Sequence, residues 1–191
     1  ELAGQKLAKL RQLLADFHGS HPLRAGYPLP ELRGKLFAGF TVKQMNALLE
    51  LWRDQVSLAG EGALLALADF IPRLGERQQQ QTDQLMRAYQ EQLFAPPVWG
   101  ELTARLSIPA KDAEELLQYL LEQGRLIKAG EFYFSGEAPR QAWHKLKAAE
   151  TGDGFAAGDI RELLGTNRKY TLALLEYMDG HKLTQRVGER R

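Results

Sequence analysis

Apolar residues recur at helical spacing from the start of the chain. Leu2, Leu7, Leu10, Leu14 and Phe17 form one stripe, which predicts a first helix ending at His18-Gly19. Pro22, Gly26, Pro28 and Pro30 then predict a turn-rich loop over 22–30, followed by a short helix over 31–37. Thr41 and Gln44 have the spacing of a capping box, in which a hydroxyl and an amide side chain each serve a free backbone N–H. That predicts a helix through 53 with Met45, Leu48, Leu49 and Trp52 inward. Residues 55–67 read as a hairpin around Gly60-Glu61-Gly62, and the apolar run 63–68 as a buried strand, although periodicity alone does not separate it from a helix. Pro72 and Gly75 mark a boundary. Gln78-Gln79-Gln80-Gln81 is either a linker or the exposed start of a helix that Leu85, Tyr89 and Leu93 carry to 94, where Pro96-Pro97 break it. A short helix over 98–106, a turn at 107–112 and a longer helix ending at Gly124 follow. Leu126-Ile127 and Phe132-Tyr133-Phe134 flank Gly130 as a hairpin, and 141–150 is helical. Gly152-Asp153-Gly154 reads as a hinge or as a short helix-to-helix loop.

The last stretch, 165–191, repeats this order. Thr166 or Asn167 suits an N-cap, because a short polar side chain can accept from a free N–H of the first turn. Leu172, Leu175 and Met178 follow at helical spacing, with Leu174 and Tyr177 widening the stripe. Asp179-Gly180 is read as the helix end, glycine being suited to a left-handed cap. Residues 182–187 alternate as a strand, and Gly188-Glu189 resembles a hairpin turn.

Residues 101–130 and 159–188 align without a gap. Leu106 falls on Leu164, Leu116-Leu117 on Leu174-Leu175, Tyr119 on Tyr177 and Gly130 on Gly188. Residues 31–60 repeat the scheme more loosely. Each copy reads as short helix, turn, longer helix, hairpin, which is a helix-turn-helix with a wing. The expected fold class is therefore mainly α with small β-hairpins (α+β), as three tandem winged helices over 1–74, 75–149 and 150–191.

Composition adds little to that picture. The 191 residues are 44% hydrophobic and 26% charged, as in an ordinary soluble protein. No apolar run is long enough to span a membrane, and the N-terminus lacks a signal-peptide pattern. The first residue is not Met, so a fragment is expected. The absence of cysteine fits a cytoplasmic location. Net charge is +1, too balanced for a general polyanion binder. Its distribution is uneven: residues 161–191 carry seven basic and four acidic side chains, or +3, leaving −2 for 1–160.

Chemistry is sparse. Gly34-Lys35 is followed by Leu36, so no phosphate-binding G-x-x-x-x-G-K-[ST] loop is present, and neither G-x-S-x-G nor H-E-x-x-H occurs. No catalytic, cofactor or metal site is expected in these residues. His18 and His21 are read as cap or hydrogen-bonded loop residues rather than metal ligands, since a tetrahedral site needs three or four ligands. Pro22-Leu23-Arg24 is read as structural. Arg168 and Lys169 stand in the first turn of the last helix, where positive charge opposes the helix dipole. Such a helix start can meet a phosphate with N–H groups and cations together. Arg186, Arg190 and Arg191 arrive on the wing. In the second copy the same helix start reads Ala110-Lys111-Asp112-Ala113-Glu114-Glu115, whose acids repel phosphate. Two of the three copies thus read as spacers or protein-contact modules, and the last as the reader.

The stretches Gly165-Thr166-Asn167-Arg168-Lys169-Tyr170, Leu174-Leu175-Glu176-Tyr177 and Thr184-Gln185-Arg186-Val187-Gly188 resemble the C-terminal winged helix of the bacterial selenocysteine-specific translation elongation factor. A second match lies upstream: His18, then Pro22-Leu23-Arg24-Ala25-Gly26 and Glu31-Leu32-Arg33 in the family's order and spacing. The resemblance implies an mRNA-binding region that holds a selenocysteine insertion sequence (SECIS) hairpin during UGA recoding. Unseen domains would bind GTP and carry selenocysteyl-tRNA to the ribosome. Arg168, Lys169 and Arg186 would contact the hairpin backbone, Thr166 and Asn167 would set the helix start on a phosphate, and Arg161 and Arg190 would flank it. A cytoplasmic monomer without membrane contact is expected. Two other readings stand beside it. One is a protein-interaction scaffold without nucleic acid, which the acidic balance of 1–160 allows. The other is a DNA-binding transcriptional regulator, against which three unlike copies with one basic reader argue.

Overall fold

Leu10 and Leu14 lie one helical turn apart and are fully buried, so the first helix has a core-facing stripe. It is α1, Leu2–Ser20. The computed structural model describes residues 2–150, 152, 154–188 and 190. The chain is mainly helical, with small antiparallel strand pairs, and divides into two compact units, Glu1–Gly75 and Glu76–Arg191.

In the first unit α1 leads to β1 (Tyr27–Pro28), α2 (Leu29–Leu36), α3 (Val42–Leu51), β2 (Val56–Ala59), a single 3-10 turn at Gly60–Gly62 and β3 (Leu64–Leu67). The sheet order is β1-β3-β2, all antiparallel. This is a three-helix winged helix, with Leu32, Phe37, Met45, Trp52, Val56 and Leu65 in its core. Helix α2 begins two residues earlier than the prolines suggested. Pro30 sits in its first turn, where a missing N–H costs nothing. Pro28 is on the edge strand, the place a sheet tolerates it. The Thr41 capping box is present: Thr41 Oγ1 accepts from the Gln44 N–H at 3.2 Å, and Gln44 Oε1 accepts from the Thr41 N–H at 2.9 Å. His18 is buried; its Nε2 accepts from the Leu67 N–H at 3.3 Å, and its ring stacks on Phe70 at 3.5 Å. His21 instead stacks on Phe17, with its Nδ1 3.3 Å from the Phe17 carbonyl oxygen. Gly26 has no room for a side chain, since a Cβ there would stand 2.7 Å from the Leu65 carbonyl oxygen.

The second unit runs α4 (Glu76–Glu91), α5 (Trp99–Arg105), α6 (Ala110–Glu122), β4 (Leu126–Ala129), β5 (Phe132–Ser135), α7 (Ala138–Ala149), α8 (Ala157–Leu164) and α9 (Arg168–Gly180). The glutamine tract lies inside α4, mostly outward, with Gln81 turned in. The repeat is visible in the backbone. Helices α6 and α9 are each 13 residues long and begin at aligned positions. Left-handed residues fall in aligned pairs: Ser107 (φ 54°) with Gly165 (62°), Gly124 (65°) with Lys182 (58°), and Gly130 (61°) with Gly188 (64°). The Ala129–Phe132 pair that closes the β4–β5 hairpin has its counterpart in the Val187–Arg190 bridge. Ala156 bridges Arg190 as β1 pairs with β3 in the first unit.

Two expectations at the end of the chain are corrected. Gly180 is still within α9, and the left-handed residue is Lys182, two positions later. There the Leu183 N–H reaches back to the Met178 carbonyl at 2.9 Å, closing a Schellman motif. Residues 182–187 do not form a strand of any length. Pairing starts only at Val187, and the Thr184 hydroxyl bonds instead to the Asp179 carboxylate at 2.6 Å. The turn at Gly188 is present; Glu189 and Arg191, like Asp153 of the expected hinge, lie outside the described residues.

The expected second and third modules, 75–149 and 150–191, lie together in the second unit and share a core. Phe134 of β5 and Ala138, Ala142 and Leu146 of α7 pack in one cluster with Ile160 and Leu164 of α8 and Tyr170, Leu174, Leu175 and Met178 of α9. Among the described residues, no helix is long and apolar enough to cross a membrane. Nor do three or more His, Cys, Asp or Glu gather as a metal site among them.

Candidate nucleic-acid interface

Helix α8 ends where Gly165 turns left-handed, and the chain enters α9 after two more residues. The Thr166 N–H bonds to the Arg161 carbonyl at 3.1 Å, and the Thr166 hydroxyl donates to the Phe94 carbonyl beyond α4. Asn167 is the N-cap: its Oδ1 accepts from the Tyr170 N–H at 3.1 Å. Its carbonyl oxygen takes both the Thr171 N–H (3.0 Å) and the Thr171 hydroxyl (2.8 Å). Thr166 and Asn167 therefore build and anchor the helix start with their own side chains. The N–H groups of Arg168 and Lys169 have no carbonyl to meet inside the helix, as in any first turn.

Arg168 and Lys169 are both exposed and diverge. Arg168 of α9 and Arg161 of α8 line one cavity of about 300 Å3 with Ala157, Gly158, Thr171 and Leu172. Arg161 lies 3.4 Å from Glu162, both being well exposed, so this pair holds little energy and leaves the guanidinium available. Lys169 leans the other way. Its Nζ is 4.9 Å from the Tyr170 ring centroid and 5.3 Å from that of Phe132, both within cation–π range. Tyr170 is a core residue, edge-on to Phe132 at 4.8 Å and to Phe134 at 6.0 Å.

Arg186 and Arg190 are on the wing. Arg186 Nε donates to the Gly188 carbonyl at 2.8 Å, stiffening the turn, and Arg190 donates to the Gly154 carbonyl at 3.1 Å. Of the seven residues read from the sequence, the structure brings Arg161 and Arg168 to one concavity. It gives Thr166 and Asn167 to the helix start, Lys169 to an aromatic edge, and Arg186 and Arg190 to the wing. Sequence reasoning missed Phe94 and Phe132, which come from the preceding copy and touch the start of α9. No local signal marks them, because their partners lie far along the chain. The equivalent start of α6 has Pro109 as N-cap without a side-chain bond, followed by Asp112, Glu114 and Glu115.

Residues 147–191 match the family described as Elongation factor SelB, winged helix (its third winged-helix domain), and residues 11–67 match that family's second winged-helix domain. Together the two cover just over half of the chain. A selenocysteine-specific elongation factor from Desulfomicrobium baculatum is 26% identical over 182 residues, which is 94% of this chain and 29% of that protein. The solved structure of a bacterial selenocysteine-specific elongation factor, EF-Sec, matches all of the chain with a TM-score of 0.53 and 19% identity, a likeness of fold. The chain spans 29% of that structure's length as well.

Proposed function

The chain belongs to the winged-helix region of the SelB family of selenocysteine-specific elongation factors, and from that premise we propose that its last winged helix binds a SECIS hairpin in messenger RNA. The observation that carries the proposal is the convergence of Arg161 and Arg168 on one cavity beside the start of α9. A phosphate seated there would meet two guanidinium groups and the positive end of a helix dipole. Lys169 and the wing arginines, Arg186 and Arg190, would track the neighbouring backbone. These contacts hold a hairpin without reading it. Sequence is read at unpaired bases, because the major groove of A-form RNA is too narrow for side chains.

In this reading the chain itself has no catalytic role. GTP binding, delivery of selenocysteyl-tRNA and work on the ribosome in the cytoplasm belong to the whole protein, with this region acting as a monomeric mRNA anchor. The acidic start of α6 favours a second role for the preceding copy, as a spacer or protein-contact module.

The test is a binding titration against a pool of RNA hairpins with DNA duplexes as competitors. Hairpin-selective binding is expected. Arg168→Ala with Lys169→Ala should weaken it at least about tenfold, the order expected for removing charge-assisted hydrogen bonds. The double change should also flatten the salt dependence by about 0.7–0.9 log unit per log unit of salt for each phosphate no longer neutralised. Unchanged affinity in the double variant, or no preference for hairpins, would overturn the assignment.

A further inference from the structure

The preceding copy has a polar concavity of its own, about 430 Å3, at the base of the β4–β5 hairpin. Gln90 of α4, Arg125, Ser135, Glu137 and Arg140 of α7 line it. The two turns at the hairpin base are locked together. The Gly136 N–H donates to the Arg125 carbonyl at 2.8 Å, and a side chain at Gly136 would run into the Gly124 carbonyl. Arg125 is half-buried and Arg140 exposed. Neither has an ion pair among the described residues, although Glu137 lines the same cavity. Arg140 stands in the first turn of α7, where positive charge opposes the helix dipole, so helix stability does not account for it. Ser135 is buried, 1% exposed. Its Oγ accepts from the Glu137 N–H at 3.4 Å, and among the described residues its own proton has no acceptor.

We infer that this cavity is a docking socket for one acidic side chain, Asp or Glu, of a protein partner. The inference rests on the protein-contact role proposed for the preceding copy and is independent of the hairpin reading. Two guanidinium groups without partners supply the planar forks that carboxylates match, and the buried Ser135 hydroxyl adds a donor at the floor. The charges around the socket favour a protein over nucleic acid. Glu137 in its wall, with Glu114 and Glu115 on α6 of the same copy, repels a run of phosphates. A lone carboxylate with a basic neighbour satisfies both signs: the acid meets the arginines, and the base meets Glu137. Position agrees. Gly130, in the turn at the hairpin tip, lies against Ala173 of α9, whereas the socket is at the other end of the four-residue strand β4. At about 3.3 Å per residue that is about 13 Å away, so a partner can dock there while α9 stays open to its own ligand.

The experiment uses the full chain and a pool of heptapeptides with Asp or Glu at the centre and a basic residue beside it, against the same pool with Asn or Gln at the centre. The acidic pool should yield binders, and changing their central acid to its amide should weaken them at least about tenfold. Arg125→Gln and Arg140→Gln should each do the same, and Arg140→Glu should recover affinity for a peptide with Lys at the centre. In the unaltered chain, the selected peptide should shift the side-chain Nε–H resonances of Arg125 and Arg140 and leave those of Arg161 and Arg168 in place. Affinity for RNA hairpins should not change in either Gln variant. No preference for the acidic pool, or resonances of Arg125 and Arg140 that do not move, would overturn the inference and leave the hairpin reading intact. Displacement of the peptide by equimolar inorganic phosphate would reduce the socket to a general anion site and overturn the protein partner. Weaker hairpin binding in the Gln variants would assign the arginines to RNA instead. Peptide binding at the socket by a chain that binds no hairpin would support the inference while sinking the hairpin reading.

Discussion

At the scale of single residues, His18 carries a consequence that its sequence position does not suggest. Its Nε2 accepts from the Leu67 N–H, so Nδ1 holds the proton, and among the described residues Nδ1 is buried without a partner. Burial lowers the imidazole's affinity for a proton, with the Asp69 carboxylate pulling the other way. The unfolded chain therefore takes up a proton at a pH where the folded chain does not. The first unit is fully stabilised above the unfolded value of about 6.5 and loses that stability as pH falls toward the lower folded value. Protonation would also cost Nε2 its role as acceptor. Protection of the Leu67 amide from hydrogen exchange, corrected for the intrinsic rate, should drop between pH 7 and pH 5.5. In His18→Gln, which has nothing to titrate there, the drop should vanish; an equal drop in the variant would refute the account. The sequence pattern read His18 as a cap or hydrogen-bonded loop residue but gave no sign of its bond to a strand 49 residues away. Asn167, by contrast, was legible because an N-cap serves an N–H only three residues on.

At the scale of elements, local signals were readable and signals needing a distant partner were not. The Thr41–Gln44 box and the paired helices of the repeat depend on residues within a turn or two of each other. The wing does not. Alternation over 182–187 predicted a strand, but a strand exists only where another pairs with it, and Thr184 is held by Asp179 instead. The end of α9 misled for a related reason. Gly180 looked like the stop, yet the cap falls where the backbone can close the Schellman bonds, and that position is occupied by Lys182 at φ 58°. A side chain in that conformation costs about 1–2 kcal/mol, part of which glycine recovers. Lys182→Gly should therefore stabilise the second unit by about 0.5–1 kcal/mol in thermal or denaturant unfolding, as glycine already does at the aligned position 124. A loss of stability would show that the Lys182 side chain does more than occupy the cap.

At the scale of the whole molecule, the fold class was legible because the apolar stripes recur three times, but the way the last two copies join was not. Phe134 sits in the β-hairpin of one copy and touches Tyr170 of the next. Phe134→Ala should destabilise the second unit by about 3–5 kcal/mol, the usual cost of removing a buried aromatic ring. Hydrogen exchange at Leu174 and Leu175 in α9 should accelerate with it, since they share its core. Exchange in α9 that stays at the original rate would show that the two copies unfold separately. The aligned left-handed residues lead in another direction. Ser107 and Gly165, Gly124 and Lys182, and Gly130 and Gly188 share a backbone shape, although only the last pair shares an amino acid. Copies built on one template can exchange surface chemistry without moving the chain. Lys111 already stands where Lys169 does, and Ala110 stands where Arg168 does. A handful of outward substitutions along α6 would give it the basic start that α9 has, so one backbone template can carry either surface, module by module.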